Sequence, residues 1–295
     1  MKYLSWVVER QILRWRRNCW LRLLNMESTK EKMGVFFIIC FVIVVTVSFL
    51  IVPPITQDIM YHQFSDKDTV FGIPNALNVL SNIFFLAVGC LGLVSILKNR
   101  DLNILYENKY AYITLFLGAA LVSFGSGYYH LYPSNDTLVW DRLPMTIVFM
   151  GLLSIIISEF FSIKLGKVFL LPLLLIGLSS VIYWDVTEMN GKGDLRPYII
   201  VQFFPIAAIP IVLCMFTSVF EKVDHYWWLL ATYILAKLFE HYDFILHDIM
   251  VVISGHSLKH IFAAIGLLIL IKGYQAKEDL SNNIKQNTTK MLDND

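Results

Sequence analysis

The chain has 295 residues, 57% of them hydrophobic and 16% charged, with a net charge of +1. Near-neutral charge gives a nucleic-acid partner no electrostatic footprint, and apolar residues gathered in long blocks are unlike a soluble domain. Cys19, Cys40, Cys90 and Cys214 are scattered, three of them inside apolar blocks, so neither a disulfide framework nor a cysteine zinc site is expected.

Residues 1–33 form a basic N-terminal segment without a secretory signal, because its apolar stretch is short and broken by arginine. The run SWVVERQILRWRRNCWLRLL mixes large apolar residues with Arg at helical spacing. It reads either as an amphipathic helix on the inner membrane face or as a basic leader that only sets orientation.

Eight apolar blocks follow, at 34–53, 76–97, 110–130, 143–163, 168–184, 198–219, 226–246 and 253–271. A hydrocarbon core of about 30 Å takes about 20 helical residues, which these lengths match. The fifth block is the shortest, and the seventh is interrupted by Lys237, Glu240 and His241. The expected fold class is all-α, a polytopic membrane helix bundle. With the N-terminus inside, inner segments hold eighteen Lys/Arg and outer loops only four, Lys67, Arg142, Lys192 and Arg196. That bias predicts cytoplasmic termini. The outer loop 54–75 carries Asp58, His62, Asp66 and Asp68, and YPSND and DVTEMNGKGDLRP join later spans on the same side. The polar tail, 273–295, is predicted to be disordered.

The chemistry concentrates at that outer side. GHSLKH places His256 and His260 one helical turn apart on one face, where both imidazoles reach a single ion. Lys259 falls on another face and is expected to snorkel outward. SGYYH ends the third span with Ser126 and His130 at the same spacing, and Asp141 opens the fourth. Antiparallel topology brings all five residues to one membrane depth. Three histidines with an open position describe a catalytic zinc site, with iron or another divalent ion not excluded. Zinc lowers the pKa of its water to about 7. Asp141 then serves as proton acceptor and donor, and Ser126 as hydrogen-bond donor to water or an oxyanion. Against this, His256 and His260 read as hydrated interface residues, Asp141 as the partner of Arg142, and Ser126 as bonded to a helix carbonyl. Lys237 and Glu240 read as an intramembrane ion pair or a substrate contact. Asp194 and Arg196 read as a loop tie, and Trp140, Tyr183 and Trp184 as interfacial anchors.

Ser-x3-His, an Asp at the head of the next helix, and a late His-x3-His resemble the signature of the CREST superfamily. IPNALNVLSN (73–82), FGSGYYHLYPSNDTLVWDRLPM (124–145), GDLRPY (193–198) and ISGHSLKH (253–260) resemble its alkaline ceramidase and phytoceramidase branch over residues 55–272. The resemblance implies a zinc-dependent amidase that cleaves ceramide into a sphingoid base and a fatty acid. His130, His256 and His260 would ligate zinc, Ser126 and Asp141 would complete the site, and a membrane lipid would be the partner. It also implies a seven-helix core at 76–272, with the helix at 34–53 as an N-terminal addition. The pattern departs at Asn75, where animal ceramidases carry an acidic residue, and their calcium-binding acidic cluster is not matched in spacing. Calcium dependence is therefore not expected: Asp58, Asp66 and Asp68 could offer oxygen ligands, but as acidic residues of an outer loop they read as solvated. Two other readings stay open: a receptor-like CREST protein with a structural zinc, and a divalent-metal transporter.

Overall fold

The structure, a computed structural model, describes residues 29–98 and 102–279. The amphipathic run before residue 29 and the tail beyond residue 279 lie outside the described residues. Ten α-helices are described: α1 (Thr29–Ile51), α2 (Ala76–Leu80), α3 (Ile83–Leu97), α4 (Lys109–Leu131), α5 (Asn135–Phe160), α6 (Ile163–Met189), α7 (Arg196–Met215), α8 (His225–His241), α9 (Asp243–Met250) and α10 (Gly255–Ala276). Seven stretches among the described residues are long and apolar enough to cross a membrane: α1, Ala76–Leu97, Tyr106–Leu131, α5, α6, α7 and α10. The chain is an all-α integral membrane protein. Its only described strands, β1 (Phe220–Glu221) and β2 (Glu278–Asp279), pair antiparallel at the end of the bundle opposite the histidines.

Helices α3 to α6 pack in chain order, α7 contacts α5 and α6, α8 packs mainly on α10, and α10 returns to α3. The resulting ring encloses a cavity. Outside it α1 rests on α7 and buries only Gly34, where a side chain would collide with Met215 and Phe216. Nearly all of α1 is therefore left for lipid.

Several expected boundaries shift for identifiable reasons. The fifth block, read as the shortest, is the longest helix at 27 residues. Its polar last turns continue the helix because Glu188 accepts hydrogen bonds from Trp184 Nε1 and the Gln57 amide, both at 3.1 Å. Helix α5 starts at Asn135, eight residues before the expected 143, where Ser134 and Thr137 form a capping box. Asp141 therefore lies inside the helix rather than at its head. The seventh block breaks at Tyr242 into α8 and α9. Asp243 leaves the helical path to meet the start of α10, accepting the His256 amide at 2.7 Å and the Ser65 amide at 2.9 Å. At 17 residues α8 is about 25 Å long, shorter than the seven apolar spans.

The start of the expected disordered tail is ordered. Helix α10 continues to Ala276, and Lys277 is 1% exposed. Its ammonium pairs with buried Glu159, which also accepts from Tyr112 at 2.6 Å and Tyr226 at 3.0 Å. This charge-assisted cluster anchors the chain end at the far side of the bundle.

Candidate metal centre and adjoining cavity

Two close helix approaches build the site. At Gly125 a Cβ would strike the Trp140 carbonyl, so α4 and α5 touch backbone to backbone beside Ser126 and Asp141. At Gly255 a Cβ would strike the Phe239 carbonyl, which seats the start of α10 against the end of α8. Ser254 caps α10 by accepting the Ser257 amide at 3.0 Å, and Asp243 accepts the next free amide, that of His256. The helix that carries two of the histidines is thereby fixed in direction.

His130, His256 and His260 converge. Each offers a ring nitrogen, and the three nitrogens lie within 4.8 Å of one another. Their ring centroids are 4.7–5.0 Å apart, and all three are buried. Among the described residues neither nitrogen of His130 has a hydrogen-bond partner. A buried imidazole left wholly unpaired is costly in a dry site, and a metal ion would relieve that cost. At His260, Nδ1 lies 2.8 Å from Ser81 Oγ, whose proton goes to the Asn78 carbonyl at 3.2 Å. Ser81 therefore accepts from Nδ1–H, and the Nε2 lone pair of His260 is free for a ligand role. Nε2 of His256 accepts from the Lys259 ammonium at 2.9 Å. A metal held through that nitrogen would displace the ammonium, which keeps its second partner, Glu240, at 2.8 Å. The donor set fits a divalent metal ion and does not by itself identify which.

Around the cluster lies a layer whose contacts the sequence did not disclose. Phe64, from the 54–75 loop, places its ring 4.6 Å from His130 and 4.7 Å from His256. Asn78 Oδ1 accepts from Ser254 Oγ at 3.0 Å and Ser257 Oγ at 2.7 Å. Asn75, the departure from the ceramidase pattern, donates through Nδ2 to the His130 carbonyl at 2.8 Å. A carboxylate could not make that bond, and Asn tolerates the left-handed backbone there (φ 47°). His62 spends both nitrogens, on Tyr129 Oη and Asn135 Oδ1, each at 2.9 Å.

A cavity of about 310 Å³ adjoins the histidines, lined by Ser126, Asp141 and His260, by the charged side chains of Arg142, Lys237, Glu240 and Lys259, and by apolar side chains of α3, α4, α5, α7, α8 and α10. The Ser126 hydroxyl faces the Asp141 carboxylate. Ser126, Asp141 and the three histidines are all buried.

Four side expectations change. Among the described residues Arg142 has no carboxylate within ion-pair distance, Asp141 included. It donates to Gln57 Oε1 at 2.7 Å and stacks its guanidinium 4.2 Å from the Trp184 ring and 4.7 Å from that of Tyr198. Trp184 is thus fully buried rather than an interfacial anchor, while Trp140 and Tyr183 are exposed. Lys259 turns inward to Glu240 and His256 instead of snorkelling. Asp66 is not solvated: it is 1% exposed and accepts the Asn78 amide at 2.8 Å. The Lys237–Glu240 pair forms at 2.5 Å. Asp194 and Arg196 pair at 2.7 Å, and Arg196 also donates to the Phe49 and Val52 carbonyls at 2.9 and 2.5 Å, tying down the end of α1. The Arg196 hydrogen bonds hold the Asp194 carboxyl below its ordinary value.

Comparison of the chain with protein-family models returned no match, and comparison with curated proteins returned none. The functional reading therefore rests on the site itself.

Proposed function

We propose that this protein is an integral-membrane, zinc-dependent amidohydrolase of the alkaline ceramidase type, cleaving the amide of ceramide-like lipids to a sphingoid base and a fatty acid. The observation that carries the reading is the convergence of three buried histidines beside an apolar cavity that Ser126 and Asp141 also line. In this reading α8 is an eighth span, both termini are cytoplasmic, and the histidines face the other side, as the basic-residue bias favours.

A zinc ion bound there supplies a Lewis acid and a water of lowered pKa. Asp141 takes a proton from the attacking water and passes it to the departing sphingoid amine, so the carboxylate is regenerated. The Ser126 hydroxyl, beside Asp141, donates a hydrogen bond to the oxygen that gains charge as the carbonyl becomes tetrahedral. The apolar lining receives the hydrocarbon chains and keeps bulk water from the scissile bond. Water adds its hydroxyl to the acyl carbon and its proton to the amine, and no further reactant is needed.

The test is His256→Ala in purified protein, with metal analysis and mass-spectrometric assay against a panel of lipid amides. Loss of both bound zinc and amide hydrolysis, with helix content preserved, is expected. Undiminished ceramide hydrolysis by that variant would overturn the reading.

A further inference from the structure

The charged lining of the cavity exceeds what a neutral lipid headgroup requires. Its charged residues are Asp141, Arg142, Lys237, Glu240 and Lys259, three cations against two carboxylates. Glu240 is shared, accepting from Lys237 at 2.5 Å and Lys259 at 2.8 Å. One carboxylate between two ammonium groups leaves that cluster positive. Lys237, whose side chain is 33% exposed, makes no hydrogen bond besides that to Glu240 among the described residues, so two of its three donors are free.

Arg142 carries the argument further. It is 5% exposed, and among the described residues its one hydrogen-bond partner is the neutral Gln57 and Nη1 is buried without a partner. Stacking on Trp184 and Tyr198 holds the guanidinium plane in place, and the Asp141 carboxylate acts on it only from beyond ion-pair distance. A buried guanidinium with no anion in contact is expensive, and this one borders an open volume. Tyr61 lies 5.8 Å from Arg142 and close enough to interact electrostatically with Lys237 and Glu240, so the two cationic groups share one stretch of wall. A divalent ion on the histidines would add charge of the same sign.

We infer that the cavity binds an amide lipid whose polar end bears an anionic group, carboxylate or phosphate, received by the free donors of Arg142 and Lys237. As a statement about substrate class it rests on the amidase reading; as a statement about binding it does not. The guanidinium fork suits two oxygens of one anion, and the lysine adds a point charge.

The experiment measures binding to purified, metal-stripped protein in detergent, so that no metal ion serves as the anion receptor. The probes are N-palmitoylglycine (carboxylate), ceramide 1-phosphate (phosphate) and palmitoyl ceramide (neutral). At least one anionic probe is expected to bind about tenfold or more tightly than ceramide, and which one does identifies the anion. Lys237→Gln, at a partly exposed position, should erase most of that preference, and Lys237→Glu should reverse it, with thermal stability as the control for folding. Equal or tighter binding of neutral ceramide, or an unchanged preference in both variants, would overturn the inference. Turnover of the same probes with zinc restored separates the two readings. Hydrolysis of ceramide with no anionic preference sinks this inference and leaves the amidase standing. Anionic preference in binding, with no amide hydrolysed, does the reverse.

Discussion

Ser81→Ala perturbs the histidine cluster without removing a ligand. Ser81 Oγ accepts from His260 Nδ1–H at 2.8 Å and passes its own proton to the Asn78 carbonyl at 3.2 Å, which holds the tautomer with Nε2 available. The substitution deletes the Ser81 acceptor in a buried environment and leaves the ring only the Asn78 carbonyl as a backbone partner, so its orientation and tautomer are held less firmly. The Asn78 carbonyl keeps its bond from Asn82 Nδ2 at 2.8 Å, so the loss falls on His260 alone. Losing such a supporting hydrogen bond weakens metal affinity by about 10- to 100-fold, or about 1.4–2.7 kcal/mol. The lost hydrogen bond costs about 0.5–1.5 kcal/mol of stability in the metal-free protein. The assay is competition against a chromogenic zinc chelator, with Ser81→Thr, which restores the hydroxyl, as the control. If Ser81→Ala holds zinc as tightly as the native protein, the assigned tautomer, and with it the role of His260 Nε2, is wrong.

Other predictions follow from the same contacts. His130→Leu removes two unpartnered nitrogens, so the metal-free variant should melt no lower than the native protein while losing the rise in Tm that added zinc gives. Asn75→Asp replaces the donor to the His130 carbonyl with an acceptor, and should lower stability by about 1–3 kcal/mol in chemical denaturation. Lys277→Met leaves Glu159 buried without its cation and should cost about 3–5 kcal/mol, whereas joining it to Glu159→Gln should recover most of the loss. The Asp194–Arg196 tie depends on an ionised carboxylate whose folded-state pKa lies below the unfolded value. Its contribution is complete above about pH 4, the ordinary Asp value, and disappears as pH falls through the lower folded value. A fluorophore on α1 should report release of that helix only in this acid range, and at neutral pH in Arg196→Ala.

The membrane class, most of the helices and the histidine triad were readable in the chain. Hydropathy blocks report burial in lipid, and i, i+4 spacing is a local property of one helix. Where hydropathy failed, a polar residue was satisfied at a distance. The end of α6 looked like loop until Glu188 met Trp184 and Gln57. The seventh block looked continuous until Asp243 was drawn to α10. Lys259 and Arg142 likewise looked like outward-facing charges, because nothing local announces Glu240 nineteen residues away or the rings of Trp184 and Tyr198.

By itself the sequence determined that the chain spans a membrane as helices, and that Ser126, His130, Asp141, His256 and His260 belong to one end of the bundle. Periodicity and the roughly 30 Å thickness of the bilayer's apolar core are enough for that. The tertiary structure alone decided which ring nitrogens are free, that Ser81, Asn75 and Phe64 surround them, and that a largely apolar cavity whose wall carries three cations and two carboxylates opens beside them. Those features depend on contacts between segments as much as 179 residues apart in the chain. Such contacts leave no pattern in any local window of sequence, because their partners become neighbours only when the helices pack.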